Sequence, residues 1–128
     1  MNHLLWNMYA GIKNGYSAKK IKISQPRNKL CAKMLNIFYK EGFIKNYRVD
    51  PSNSKNFVIF LKYINGTPII TQLDAVSTPS KKVYINARDL WKLHNGINVL
   101  IMSTTKGFLT DRECKELHLG GEIFCKIK

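Results

Sequence analysis

The spacing of the apolar residues changes along the chain, and this limits the fold more than any other feature. Leu4, Leu5, Met8, Tyr9 and Ile12 recur at helical spacing, and Gly15 is placed to end that helix. Ile21–Ile23 alternates as a short strand that Pro26 closes. Leu30, Cys31, Met34, Leu35 and Phe38 return to the helical period, with Gly42 after them. Phe43–Val49 alternates again, and Pro51–Asn56 is a polar loop. Phe57–Tyr63 reads as a strand, Asn65-Gly66 as a hairpin turn and Pro68–Leu73 as the partner strand. The first lobe is thus helix, strand, helix and three strands.

Composition shifts at residues 74–82, which read as a linker centred on Pro79. Val83–Ile85 is a short strand. Asn86 precedes Asp89 by three residues, a helix-capping pattern, with Leu90 and Leu93 facing inward and Gly96 ending the helix. Val99–Met102 is an apolar strand. Thr110 and Glu113 form the S/T-x-x-E capping box, so a helix starts at Asp111 and Gly120-Gly121 stops it. Ile123, Cys125 and Ile127 alternate as a last strand. The expected class is α+β in two small lobes. An N-terminal α-β-α-β-β-β lobe spans 1–73, and a mostly antiparallel β lobe with short helices spans 83–128.

The charge is lopsided. The 128 residues hold 21 Lys and Arg against 8 acids, a net charge of +13. Such a surface repels itself, and a polyanion relieves the repulsion, which puts nucleic acid first among partners. Residues 13–62 hold twelve basic residues with only Glu41 and Asp50 as acids, so the first half carries the broad electrostatic face. No apolar run approaches a membrane span, and no membrane or small-molecule substrate is expected. The N-terminus lacks a basic start and a small-residue cleavage site and reads as part of the fold. Abundant Lys, Ile, Asn and Tyr point to an A/T-rich genome, including an organellar one. Cys31, Cys114 and Cys125 form no paired motif and read as reduced, buried thiols.

The most informative stretch is Met102–Phe124, where a hydroxyl-rich loop joins a strand to a helix. Ser103, Thr104 and Thr105 can each give and accept a hydrogen bond, Lys106 can meet a phosphate, and Gly107 lets a partner backbone approach. Glu122 can accept from a base amino group or a ribose hydroxyl. This set suits the wide, shallow minor groove of an RNA helix. The alternative is a surface turn whose hydroxyls satisfy their own backbone. Ser103-x-x-Lys106 also matches the S-x-x-K pattern of penicillin-recognising enzymes, but its companion motifs are absent and the helix signal comes later, at Thr110. Cys114, His118 and Cys125 lack a fourth ligand for a structural zinc, and His3 and His94 have no partner in sequence. No metal, cofactor or catalytic residue is therefore expected.

These residues resemble the small-subunit ribosomal protein eight family, bacterial and organellar type, almost end to end. "STTKGFLTDRE" followed by "LGGEIFC" carries the most specific likeness; "GIKNG", "PRNKL", "EGFI" and "VSTPSKKVY" match in order. Thr105 stands where the family usually has serine, and Ser80 follows Pro79 where glycine is usual. The resemblance implies a two-lobed, non-catalytic protein that binds the central domain of small-subunit ribosomal RNA and supports subunit assembly. It implies that Ser103, Thr104, Thr105, Lys106, Gly107, Tyr84 and Glu122 grip an RNA helix. It further implies that Lys13, Asn14, Pro26 and Lys29 touch a second RNA region. Small-subunit proteins two, five and seventeen are the neighbours it suggests. A mitochondrial ribosome is the expected location, with a plastid or bacterial cytoplasm as alternatives. The rival function is an RNA-binding or translation-regulating module outside the ribosome.

Overall fold

The computed structural model describes residues 3–78, 80–92 and 98–128. Pro79, Leu93, His94 and Gly96, named above, lie outside the described residues. Contacts divide the chain into two units, Met1–Thr71 and Gln72–Lys128.

In the first unit, α1 (His3–Ser17) and α2 (Lys29–Lys40) lie with a three-stranded antiparallel sheet. Its strands are β1 (Lys22–Pro26), β2 (Asn46–Val49) and β3 (Asn56–Phe60), in the order β1-β3-β2. The helical stripes read from the sequence are the buried faces: Leu5, Met8, Tyr9 and Ile12 on α1, and Cys31, Met34, Leu35 and Phe38 on α2. Ile23 on β1 stands against Gly11 and Gly15 of α1, and Gln25 Nε2 donates to the Leu4 carbonyl at 3.0 Å. One sheet face, with Ile23, Gln25, Tyr47 and Phe57, therefore carries the helices. The opposite face bears Lys22, Ser24, Asn46, Arg48, Val58 and Phe60.

A short hairpin follows, β4 (Tyr63–Ile64) and β5 (Thr67–Pro68). Asn65 (φ 52°) and Gly66 (φ 78°) are both left-handed, as a type I′ turn requires. The strands around it are shorter than expected. Pro68 has no N–H with which to extend the ladder. Leu73–Ala75 forms β6, which belongs to the second unit and pairs with a strand there.

In the second unit, β7 (Tyr84–Ile85), α3 (Ala87–Trp91), β8 (Val99–Thr104), β9 (Gly107–Thr110), α4 (Asp111–Leu117) and β10 (Gly121–Ile127) follow β6. Strand β10 is central: it pairs antiparallel with β8 along one edge and with β6 and β7 along the other. Strand β9 adds to β8 as a hairpin. Both capping patterns form. Asn86 Oδ1 accepts from Asp89 N at 2.7 Å, and Thr110 and Glu113 cap each other reciprocally. Of the stretch read above as a linker, residues 74–77 run along β10. Val76 N donates to Phe124 O at 3.0 Å, and the buried Ser77 hydroxyl donates to Ile123 O at 2.6 Å while accepting from Val83 N.

The glycines do different work from that expected. Helix α1 ends at Ser17, where Lys20 N donates to Gly15 O and Lys19 N to Tyr16 O around a left-handed Lys19 (φ 56°), a Schellman ending. Helix α4 ends the same way around His118 (φ 55°), not at the Gly-Gly pair. Gly42 stops its helix as expected, at φ 82°. Gly15 is a packing residue, since a Cβ there would stand 2.9 Å from both Ile23 and Leu61. Gly120 would meet the Ile85 carbonyl at 2.6 Å, and a Cβ on Gly121 would overlap the Ser103 carbonyl oxygen. The pair lets β10 lie close to β7 and β8.

Tyr16 joins three segments. Its hydroxyl donates to Phe43 O at 2.6 Å and accepts from Lys62 N at 3.0 Å, and burial pushes its pKa from 10.0 up to about 12.

Two predictions follow from this packing. Gly15→Ala and Gly121→Ala will each destabilise by about 1–3 kcal/mol in urea unfolding, as overpacking does, and Lys19→Gly will not. Tyr16→Phe will destabilise by about 1–3 kcal/mol at pH 7 by leaving two backbone groups unmatched. The native state holds the Tyr16 proton more tightly than the unfolded chain does. That contribution is complete below pH 10 and lost as pH rises toward about 12. The decline attributable to this group will be absent in Tyr16→Phe.

Candidate nucleic-acid interface

Four side chains line up across four strands of the second unit. Tyr84 on β7 faces Glu122 on β10, Glu122 faces Ser103 on β8, and Ser103 faces Phe108 on β9. Directly opposed residues project from the same side of a sheet. Each is the chain neighbour of a residue on the helix side: Ile85, Ile123, Met102 and Leu109 all pack in the cluster with Leu90 of α3 and Cys114 of α4. The row therefore occupies the opposite side. Tyr84 is 66% exposed, and Ser103, Glu122 and Phe108 are half-buried. Phe108 meets Phe124 edge to face at 5.1 Å.

The hydroxyl-rich segment is not the strand-to-helix loop expected. It is the tip of the β8–β9 hairpin, with Thr104 opposite Gly107 and only Thr105 and Lys106 between them. Gly107 takes φ 99°, which glycine adopts without strain. Thr104 Oγ1 donates to Gly107 O at 2.9 Å and accepts from Lys106 N at 3.1 Å. Thr104 thus shapes the turn, as the surface-turn alternative required of it. The hydroxyls of Ser103 and Tyr84 and the Glu122 carboxylate make no hydrogen bond to another described residue. Strand β9 runs directly into α4 through the Thr110 cap, so both ends of the hairpin are anchored.

The row offers an aromatic face, an acceptor-only carboxylate and a hydroxyl that can do both, with a lysine at the hairpin tip. No base among the described residues is hydrogen-bonded to Ser103. His118 is engaged elsewhere: its Nδ1 accepts from Trp91 Nε1 at 3.0 Å. Burial pushes the Cys114 thiol up to about 11 and raises Cys31 as well, so both stay protonated at neutral pH. All three cysteines are buried and none forms a disulfide, and no group of metal-ligating side chains occurs among the described residues.

The four residues implied for the first unit are all exposed and line no single cleft. Lys29 lines a cleft with Arg27, Asn28, Ser54, Lys55 and Phe57, and Pro26 ends the strand beside it. Asn14 lines a different cleft with Lys20, Lys22, Ser24 and Arg48; Lys13 lines neither. Arg27 and Lys55 were missed. Arg27 lies within the "PRNKL" motif, whereas Lys55 is distant in sequence and reaches it only through β1–β3 pairing, with Arg27 N donating to Lys55 O at 2.9 Å. The Arg27 guanidinium donates to Ser54 O at 2.8 Å and stands 5.8 Å from the Phe57 ring centre.

Comparison with known proteins agrees with the resemblance. Residues 4–127 match the family model described as Ribosomal protein S8. The small ribosomal subunit protein uS8 of Caulobacter vibrioides is 37% identical over 129 aligned positions, covering 99% of this chain and 98% of the relative. The uS8c protein of Chlorella vulgaris is 37% identical, covering 99% of each chain. The uS8 protein of Nitrosomonas europaea is 38% identical, covering 94% of this chain and 93% of its own length. With nearly the whole chain aligned at this identity, the protein belongs to the ribosomal protein S8 family, whose members are non-enzymatic constituents of the small ribosomal subunit.

Proposed function

We propose that this chain binds the central domain of small-subunit ribosomal RNA and supports assembly of the subunit. The row Tyr84–Glu122–Ser103 carries the reading, because the strand register sets a stacking face, an acceptor and a donor-acceptor side by side on one face. An RNA minor groove presents matching groups, namely 2′-hydroxyls and base edges. Glu122 repels phosphate and favours donors, so it selects groove over backbone, while Lys106 at the hairpin tip takes a phosphate. Tyr84 stacks on a base or sugar. The cleft of Arg27, Lys29 and Lys55 is the surface that meets a second RNA region. Neighbouring proteins two, five and seventeen are the protein partners in this reading. Composition supports a mitochondrial ribosome as the particle, and co-fractionation with plastid or cytoplasmic ribosomes would overturn that assignment.

Gel-shift titration at fixed salt tests the RNA assignment. Tyr84→Ala will weaken binding to the cognate RNA helix by about 1–3 kcal/mol, the worth of one stacked base. Ser103→Ala will lose about 0.5–1.5 kcal/mol, one net hydrogen bond. Lys106→Ala will lower the salt slope by about 0.9 or less. Unchanged affinity in both Tyr84→Ala and Ser103→Ala would remove the row from the interface.

A further inference from the structure

The helix-free face of the first unit's sheet is used by neither surface described so far. It borders a cleft of about 660 Å³ lined by Lys20, Lys22, Ser24, Arg48 and Asn14, with Asp50 and Ser52 also in the lining. Ser24, Val58 and Arg48 are directly opposed across β1, β3 and β2, so Ser24 and Arg48 flank one row, and Lys22 flanks the next. Three cations face one carboxylate.

The positions that carry these cations are fixed. The Arg48 guanidinium lies over the Phe60 ring at 5.4 Å. The Lys20 backbone is fixed at both ends: its N–H donates to Gly15 O at 2.9 Å, and its carbonyl accepts from Tyr63 Oη at 2.6 Å. Lys22 rides on a paired strand. Asp50 Oδ1 accepts from Ser52 N at 2.9 Å and from Ser52 Oγ at 2.8 Å. Those bonds, with Lys22 nearby, hold its carboxyl below the usual range, so it is ionised at neutral pH and leaves the cleft net positive.

We propose that this face is a further RNA contact, a cleft that takes the sugar–phosphate backbone of an RNA segment through Lys20, Lys22 and Arg48. The lining contains no aromatic ring on which a base could stack, and Ile23 and Val58 are its only large apolar members. Backbone recognition needs neither: point charges and a guanidinium fork meet phosphates, and Ser24 and Asn14 can reach 2′-hydroxyls. This inference rests on the RNA-binding reading above but shares no residue with the surfaces used there; Asn14 is the one member of the cleft that the resemblance implied.

The test uses the full chain and the variant Lys20→Gln/Lys22→Gln/Arg48→Gln, with thermal unfolding as the check that it folds. Two RNAs are titrated over a salt series: the isolated helix gripped by the β8–β9 hairpin surface, and the whole central domain. The variant will hold the isolated helix within about twofold of wild type. It will bind the central domain about tenfold more weakly, with a salt slope smaller by about two, as loss of two to three phosphate contacts requires. Equal central-domain affinity and slope in variant and wild type overturns the proposal. If the wild type prefers neither RNA over a random duplex, the reading under Proposed function fails and carries this one with it. If the variant loses binding to polyglutamate but not to RNA, the cleft takes an acidic polypeptide and the proposal is wrong. Should the variant not fold, ultraviolet crosslinking of the wild type decides: RNA adducts on the peptides holding Lys20–Ser24 and Arg48 are expected, and their absence overturns the proposal.

Discussion

The close approach of β10 to its neighbours is the constraint on which the second unit depends. At Gly120 a Cβ would run into the backbone from Ile85 to Ala87, and at Gly121 into the Ser103 carbonyl, so the two glycines supply the clearance on the two sides. Without it, Glu122 would not sit between Tyr84 and Ser103. The irregular register between Ile123 and Cys125 lets Glu122 and Cys125, three residues apart, oppose Ser103 and Ile101, which are only two apart. One strand thus serves the helix-side core and the candidate RNA surface together. Damage to its seating would disturb both.

The two units divide the chemistry. Residues 13–62 concentrate positive charge, which acts at a distance and is indifferent to sequence. The second unit balances nine basic residues with six acids, so its net charge is smaller, and its candidate surface offers hydrogen-bonding and aromatic groups that act only on contact. A protein that must find folded RNA and then settle in one register needs both kinds of force. In the first unit the cations also have packing roles. Arg27 and Arg48 each stand over a phenylalanine ring of β3, one toward either end of that strand.

Much of the fold was legible because it depends on short-range rules. The α1 and α2 stripes, the Asn86 and Thr110 caps and the Asn65-Gly66 turn are all local patterns with local causes. Glycine misled where its role was tertiary. Gly15 and Gly121 are small because another segment presses on them, and no pattern of neighbours along the chain reveals that. The true endings at Lys19 and His118 carry side chains that the stop rule does not expect. Strand β9 was hidden for a similar reason, since a two-residue turn without an Asn-Gly signal reads as loop. Of the candidate site, residue types were legible and adjacency was not. Tyr84 and Glu122 are distant in sequence and meet only through register, and Lys55 joins Arg27 in the same way.

Thr104 adds a kinetic consequence. Its hydroxyl bonds the turn from both sides, so the hairpin tip is held in shape by its own contacts. A segment that must order itself on contact delays productive collision and gives up part of its contact energy. Here the turn is already braced, so under the RNA-binding reading proposed above capture runs at the pace set by diffusion and long-range charge.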